Sequence, residues 1–244
     1  MTQVIAHRGA SAHAPENTLQ AFEEAARRGA DQVELDVRLA SDGSVVVHHD
    51  ARLADGRAVV DLTPAQLPSS VPSLREALVA CAPLGVNVEL KDLPGEPGHR
   101  RDLPLAAATV AVLDGYRADG GAVDLLVSSF DVAALDRVAD LAPALDTAVL
   151  FVTADPVSGL ITRAAASGRV AIHPSQPATD RALVGAAHAV GLAVNVWTVD
   201  DPERMAALIA LGVDGIITNV PDVARSVVDA AAEPAAGRPS RATR

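Results

Sequence analysis

The chain has 244 residues, of which 49 % are hydrophobic, and this length suits one large domain with a sizeable core or two small domains. Its formal net charge of −11 argues against nucleic acid and against an anionic membrane as the main partner. The single cysteine, Cys81, excludes an internal disulfide.

Short apolar runs rich in β-branched residues alternate with helical patterns along most of the chain. Repeated strand–helix units of this kind imply a parallel sheet. Eight of them, in a chain close to the ~250 residues of a (β/α)8 barrel, favour a closed TIM barrel over an open doubly wound sheet. The predicted strands lie near residues 3–7, 31–37, 86–91, 124–129, 147–152, 170–173, 193–198 and 213–218. The predicted helices lie near residues 17–29, 73–82, 104–118, 131–141, 157–167, 179–190, 201–211 and 221–231.

The predicted domain organisation is one barrel over residues 1–231 followed by a tail. Residues 43–72 interrupt the strand–helix rhythm, and we expect them to form an insertion at the catalytic end of the barrel, after its second strand. Asn17 is a candidate N-cap of the first helix, since asparagine is favoured at that position. Residues 232–244 carry no core-forming pattern and are predicted to be disordered.

Charged residues and histidines lie at the ends of several apolar, β-branched runs. The fragments are His-Arg-Gly at 7–9, Glu-Leu-Asp at 34–36, His-Asp at 49–50 and Glu-Leu-Lys at 89–91. Alternate residues of a strand share one face, so Glu34 lies with Asp36 and Glu89 with Lys91. Because barrel active sites lie at the C-terminal strand ends, these fragments are predicted to meet in one site.

Glu34, Asp36 and Glu89 are the candidate metal ligands. Carboxylate oxygens suit Mg²⁺ or Ca²⁺ better than zinc, which prefers sulfur and nitrogen, and Mn²⁺ is a further candidate. The alternative is a set of exposed carboxylates that pair with arginines. Three carboxylates at matching depth on neighbouring strands favour the metal site.

His7 and His49 are the candidate general acid and base, because an imidazole exchanges protons near neutral pH. Arg8 and Lys91 are candidate donors to a phosphate group. Lys91 is the only lysine among 20 basic residues. All the other basic residues are arginines. A single lysine kept at a strand end therefore indicates a crowded site that needs a compact ammonium group.

Three further residues carry two interpretations each. Trp197, the only tryptophan, is a candidate wall for the organic part of a substrate, with core packing as the alternative. Asn17 is a candidate for orienting a ligand oxygen, although the N-cap role explains it equally well. His173 ends the sixth predicted strand, where it either lines the pocket or is a structural residue.

Motifs spread along the chain resemble those of a known family. They are AHRGAS (6–11), PENT (15–18), GADQVELDV (29–37), VVVHHD (45–50), VPSLREAL (71–78), NVELK (87–91), SSFD (128–131), NVWTVD (195–200) and GVDGIITNVPD (212–222). In combination they resemble the glycerophosphodiester phosphodiesterases over about residues 3–227. Two departures lie near the predicted pocket mouth: residues 51–63 lack the family's threonine pair and glycine-rich turn, and position 13 is histidine.

The resemblance implies a barrel of the type found in phosphatidylinositol-specific phospholipase C. It also implies a role for each residue already singled out, namely acid/base catalysis by His7 and His49, Mg²⁺ or Ca²⁺ ligation by Glu34, Asp36 and Glu89, and phosphate contacts by Arg8 and Lys91. Members of the family hydrolyse deacylated phospholipids to glycerol 3-phosphate and an alcohol, and some relatives act on lysophospholipids.

The predicted function is therefore metal-dependent hydrolysis of a small glycerophosphodiester to sn-glycerol 3-phosphate and an alcohol. One alternative is a phospholipase D-like or lyase-type reaction on lysophospholipids that stops at a cyclic phosphate. Another is a non-catalytic phosphodiester-binding protein.

No basic region followed by a long apolar stretch opens the chain, and no run approaches the ~20 residues of a membrane span, so we expect a cytoplasmic protein without stable membrane insertion.

Overall fold

A computed structural model of the protein describes residues 1–121, 124–153 and 157–232. The predicted tail at 232–244 lies outside the described residues apart from Ala232. None of the helices in the described ranges is long and apolar enough to cross a membrane.

Parallel strands form a closed barrel, as the alternation of strands and helices predicts. The strands in the described ranges are β1 (Gln3–His7), β2 (Gln32–Leu39), β3 (Val45–Val47), β4 (Gly85–Leu90), β5 (Leu125–Ser129), β6 (Asp146–Phe151), β7 (Ala171–Pro174), β8 (Ala193–Val196) and β9 (Gly215–Thr218). Eight of these described strands run parallel, and the ring closes because β1 pairs with both β2 and β9. β3 stands outside the ring and pairs antiparallel with the end of β2.

Helices cover the outside of this barrel. Their bounds in the described ranges are α1 (Leu19–Arg27), α2 (Leu74–Cys81), α3 (Pro104–Ala118), α4 (Val132–Leu141), α5 (Val157–Ala166), α6 (Arg181–Ala189), α7 (Pro202–Leu211) and α8 (Pro221–Ala232). The N-cap of α1 is Thr18, whose hydroxyl accepts the N–H of Ala21 over 3.2 Å. The predicted cap at Asn17 is therefore wrong, because Asn17 has a left-handed φ of 57° where a cap residue is extended.

The two faces of the barrel strands differ in polarity. Outward side chains such as Val33 and Leu35 of β2 and Val88 of β4 are fully buried, together with Phe22 of α1 and Leu74 of α2. Burial of each large aliphatic or aromatic side chain contributes roughly 1.5–3 kcal/mol. The apolar core thus forms a shell between barrel and helices, and the inward face of the barrel is free to carry polar groups.

The segment between β2 and α2 folds onto the barrel around an apolar cluster of its own. After β3 it contains two short 3-10 helices, Val59–Asp61 and Pro64–Gln66. The N–H of His48 donates to the carbonyl of Asp36 over 2.9 Å, which attaches the segment to β2. The members of this second apolar cluster are Ala40, Val46, Leu53, Val59, Leu62 and Leu67.

Gly9 lies in the loop after β1 at a point where a side chain does not fit. Its φ is +82°, and a Cβ atom there would lie 2.6 Å from the main-chain carbon of Ala21 in α1. Gly43 has a similar φ of +86°, but its Cβ would meet nothing within 4 Å. The two glycines therefore share the backbone conformation and differ in the space beside it.

We expect Gly9→Ala to lower the free energy of unfolding more than Gly43→Ala does. The Gly43 substitution carries only the left-handed backbone cost of about 1–2 kcal/mol. The Gly9 substitution adds overpacking, which typically costs about 1–3 kcal/mol. Urea unfolding of both variants measures the difference, and equal losses would show that the loop moves away from α1 without cost.

Candidate active site

A cavity of about 340 Å³ opens where the barrel strands end. Asp36, which is fully buried, pairs with Glu89 in the register of β2 and β4. Glu34 pairs with His7 of β1 in the same way. The barrel thus brings together residues that are far apart in the sequence. The predicted site residues that line the cavity are His7, Arg8, Glu34, His49, Glu89, Lys91 and Trp197.

Three carboxylates form a buried cluster in this site. One oxygen from each of Glu34, Asp36 and Glu89 lies within 4.8 Å of the others. The three residues are 2 %, 0 % and 5 % exposed. Burial raises the pKa of both Glu34 and Glu89, because a charged carboxylate loses its hydration there. A cluster of this kind needs nearby positive charge to stay ionised.

Lys91 and Arg8 supply part of that charge. Lys91 Nζ lies 2.5 Å from Glu89 Oε1 and 3.2 Å from Asp36 Oδ1. Arg8 Nε lies 3.2 Å from Asp36 Oδ2, and the Arg8 main-chain N–H donates to Glu34 over 3.0 Å. Burial opposes ionisation of Asp36, but Lys91 and Arg8 outweigh it and lower the pKa of this carboxyl. When all three carboxylates are ionised, the two cations leave one negative charge without a countercharge.

Asn17 supports this cluster from behind. Its Nδ2 donates to Asp36 Oδ2 over 2.8 Å, and its Oδ1 accepts the main-chain N–H of Asp36 over 3.2 Å. The residue is only 4 % exposed. Its carboxamide is therefore engaged by a carboxylate of the cluster, and a role of Asn17 in orienting a ligand oxygen stays a prediction.

His7 is held through its ring. Its Nδ1 donates to Asn219 Oδ1 over 2.7 Å, and Asn219 Nδ2 donates to Asp200 Oδ2 over 2.6 Å. The amide orientation that Asp200 imposes makes Nδ1 the protonated nitrogen of His7 and leaves Nε2 free to accept a proton. Burial lowers the pKa of His7, and the bond to Asn219 opposes that shift. Asn219 and Asp200 are site residues to which the sequence reasoning assigned no role, although both lie within motifs that carry the family resemblance.

His49 is held differently, on the segment that follows β3. Its ring Nδ1 lies 2.7 Å from Oδ1 of the adjacent Asp50, whose side chain is 73 % exposed. Burial lowers the pKa of His49, and the negative charge of Asp36 opposes that shift. Both histidines are therefore biased toward the neutral form, in which an imidazole can accept a proton.

Aromatic residues also line the cavity. Trp197 and Phe130 meet edge to face, with ring centroids 5.6 Å apart and planes at 89°. The indole N–H of Trp197 donates to the carbonyl of His173 over 2.8 Å, which fixes the ring. Lys91 Nζ lies 5.8 Å from the centroid of the Phe130 ring. Charged and aromatic groups therefore line the same cavity.

The fold and this charge arrangement fit a barrel-type phosphoric diester hydrolase. The family model described as the glycerophosphoryl diester phosphodiesterase family matches residues 7–223, and the chain belongs to that family. The resemblance seen in the sequence motifs and the predicted (β/α)8 barrel are both confirmed.

Named relatives and solved structures agree with this assignment. A glycerophosphodiester phosphodiesterase of Caldanaerobacter subterraneus subsp. tengcongensis is 32 % identical over 251 residues, which cover 93 % of this chain and 98 % of the relative. One from Bacillus altitudinis is 31 % identical and covers 91 % and 96 %. The solved structure of an Oleispira antarctica phosphodiesterase with the product sn-glycerol-3-phosphate has a TM-score of 0.83, is 28 % identical and covers 94 % and 97 %.

His173 lies inside the barrel, where it is 1 % exposed. Asn195 Nδ2 donates to its Nε2 over 3.0 Å, a bond that needs this nitrogen to be unprotonated. Burial lowers the pKa of His173 to about 3, because a charged imidazole would lose its hydration. Of the two interpretations that the sequence left open, the structure supports packing inside the barrel.

We expect His173 to lower the free energy of unfolding as the pH is lowered from 7.5 to 5.5. The unfolded chain binds a proton below the ordinary histidine pKa of about 6.5, while the folded state does not bind one until about pH 3. Between these values stability decreases as pH decreases, by about 1.4 kcal/mol at pH 5.5 for this one group. Urea unfolding at pH 7.5 and 5.5 should show a smaller pH effect in His173→Gln than in the wild type, and an unchanged pH effect would contradict the assignment.

Proposed function

We propose that the protein hydrolyses glycerophosphodiesters to sn-glycerol 3-phosphate and an alcohol, with a divalent cation held by Glu34, Asp36 and Glu89. The observation that carries this proposal is the buried three-carboxylate cluster, with its incomplete countercharge, at a cavity that two histidines line. The product found in the Oleispira antarctica phosphodiesterase is the phosphate monoester that this reaction would release.

The donor set fits a hard divalent cation. It consists of carboxylate oxygens, and Glu34 Oε1 has no hydrogen-bond partner among the described residues. Oxygen ligands of this kind suit Mg²⁺ or Ca²⁺, with Mn²⁺ as a third candidate. When bound, such a cation would offset the negative charge that develops at phosphorus.

His7 and His49 are proposed to move the protons. One histidine removes a proton from the nucleophile, which is water or a glycerol hydroxyl, and the other protonates the leaving alcohol. Hydrogen bonding from Nδ1 of His7 to Asn219 supports Nε2 as the nitrogen that exchanges the proton. The lowered pKa of each histidine favours the neutral form, which the base needs. The other histidine must take up a proton from solvent before it can protonate the leaving alcohol.

The remaining residues are proposed to bind the substrate. Lys91 and Arg8 carry positive charge beside the carboxylates, where they can share the negative charge of a phosphodiester. Trp197 and Phe130 form the apolar wall against which the organic part of the substrate would lie.

Phosphorus NMR of the products from glycerophosphocholine tests the reaction. Hydrolysis gives the resonance of sn-glycerol 3-phosphate, in amounts equal to the choline released. A cyclic phosphate as the final product would instead indicate the lyase-type reaction. Binding without turnover would leave only a phosphodiester-binding function.

We expect removal of divalent cations to abolish this activity. Protein treated with EDTA and then dialysed should be inactive, and Mg²⁺, Ca²⁺ or Mn²⁺ should restore turnover. Glu34→Gln should bind the restoring cation more weakly in isothermal titration calorimetry, because one carboxylate ligand is lost. Full activity in protein shown by elemental analysis to be metal-free would contradict the proposed cation site.

We expect Lys91→Arg to damage catalysis although it keeps the charge. Lys91 Nζ lies between Glu89 and Asp36, and a planar guanidinium cannot occupy the same point. The expected loss in kcat/KM for glycerophosphocholine under saturating cation is about tenfold or more, equal to ~1.4 kcal/mol of transition-state stabilisation.

The matched control is Arg181→Lys, which exchanges the same two residue types at an exposed position on α6. It should leave kcat/KM within about twofold of the wild type, since surface exchanges cost within about ±0.5 kcal/mol. Unchanged kinetics in Lys91→Arg would remove Lys91 from the proposed phosphate-binding set.

A further inference from the structure

Arg38 is a buried cation at the mouth of the barrel. It lies on β2 two residues after Asp36, so its side chain shares the inward face of that strand. The residue is only 5 % exposed, and it contributes to the lining of the cavity. A buried guanidinium is stable only when its donors are used, so its contacts indicate what it holds.

The guanidinium of Arg38 joins three segments that meet at the site. Its Nε donates to the main-chain carbonyl of His49 over 2.7 Å. Its Nη1 donates to the carbonyl of Lys91 over 3.0 Å and lies 2.9 Å from Glu96 Oε2. The planar, fixed fork of an arginine can serve acceptors in different directions at once, which one flexible ammonium cannot do in the same way.

The two histidines differ in how much they need such a contact. The ring of His7 is fixed from a different strand end by Asn219. The ring of His49 is bonded to its own neighbour Asp50, whose side chain is largely exposed and cannot tie the histidine to the barrel. In the part of the chain that the structure describes, the main chain of His49 makes no hydrogen bond other than the one from Arg38.

Lys91 depends less on Arg38. Its own main-chain N–H donates to the carbonyl of Val37 over 3.1 Å, which continues the pairing of β4 with β2. The Lys91 side chain is further held by Asp36 and Glu89. Of the two segments whose carbonyls Arg38 binds, the one that would move without it is the segment of His49.

We propose that Arg38 is a positioning residue that fixes His49 relative to the carboxylate cluster, and that it acts on catalysis through His49. The inference rests on the proposed catalytic role of His49. Without the bond to its carbonyl, the His49 segment would keep its attachment at His48 but lose the contact that sets the imidazole against the reacting phosphodiester. Misplacement of the His49 imidazole lowers kcat, because proton transfer needs a donor and an acceptor within hydrogen-bond reach.

A double-mutant cycle tests whether Arg38 acts through His49. We expect Arg38→Ala to lower kcat for glycerophosphocholine by about tenfold or more. The same substitution in a His49→Ala background should cause no further loss, because there is no imidazole left to position. Losses that multiply in the double variant would overturn the inference.

Arg169→Ala is the matched control. Arg169 is also a buried arginine, 6 % exposed, and it donates to the carbonyl of Leu135 and pairs with Asp136. It lies just before β7, at the end of the barrel away from the cavity. The control should lower the melting temperature but leave kcat unchanged at temperatures where the variant is folded. A fall in kcat as large as that of Arg38→Ala would assign the effect of both residues to general stability.

Chemical rescue gives a second, independent readout. Guanidinium ion at millimolar concentration should restore part of the kcat of Arg38→Ala by occupying the space beside the two carbonyls, and urea at the same concentration should not. Glu96→Gln should lose less kcat than Arg38→Ala, because it leaves both carbonyl bonds in place. Absence of rescue, or an equal loss in Glu96→Gln, would count against the proposed contact.

The outcomes separate this inference from the proposed function. If His49→Ala keeps near-wild-type turnover, the catalytic role of His49 fails, and the inference fails with it. If His49→Ala is inactive while Arg38→Ala is fully active, only the positioning role fails. Where Arg38→Ala does not fold, Arg38→Lys replaces it, because lysine keeps the charge and much of the side-chain volume. The same double-mutant cycle with His49→Ala then tests whether Arg38 acts through His49.

Discussion

The site depends on the cost of burying three carboxylates side by side. Glu34, Asp36 and Glu89 are almost entirely removed from water, and an unpaired buried carboxylate is one of the least favourable groups in a protein. Lys91 and Arg8 offset only part of this cost. The fold tolerates the arrangement because its apolar core lies outside the barrel, so the inward face does not have to supply hydrophobic stabilisation.

The local pattern of the sequence was sufficient to predict the barrel and several of the residues that line its cavity. Alternation along a strand puts Glu34 beside Asp36, and the C-terminal position of barrel active sites brings in Glu89 and Lys91. Contacts between distant segments were not predictable in this way. Asn219 lies 212 positions from His7, and no local periodicity relates the two residues.

Two other differences between sequence and structure have local physical causes. Asn17 has the residue type of a helix cap, but its left-handed backbone makes Thr18 the cap and turns the Asn17 side chain toward Asp36. Arg38 is one of many arginines in the chain and lies one residue past the predicted strand 31–37, whereas β2 extends to Leu39. Only the three-dimensional structure shows that its donors meet main-chain carbonyls beside the cavity.

The separate apolar cluster of the segment after β3 has an evolutionary consequence. Residues such as Leu53, Leu62 and Leu67 pack mainly among themselves, apart from the core between barrel and helices. Asp50 and Ala51 in the same segment line the cavity. Substitutions or changes of length in this small module can therefore reshape the pocket entrance while the carboxylates and their strands are left intact. Selection can then vary the pocket entrance, provided that the bond from Arg38 to the carbonyl of His49 keeps that histidine in place.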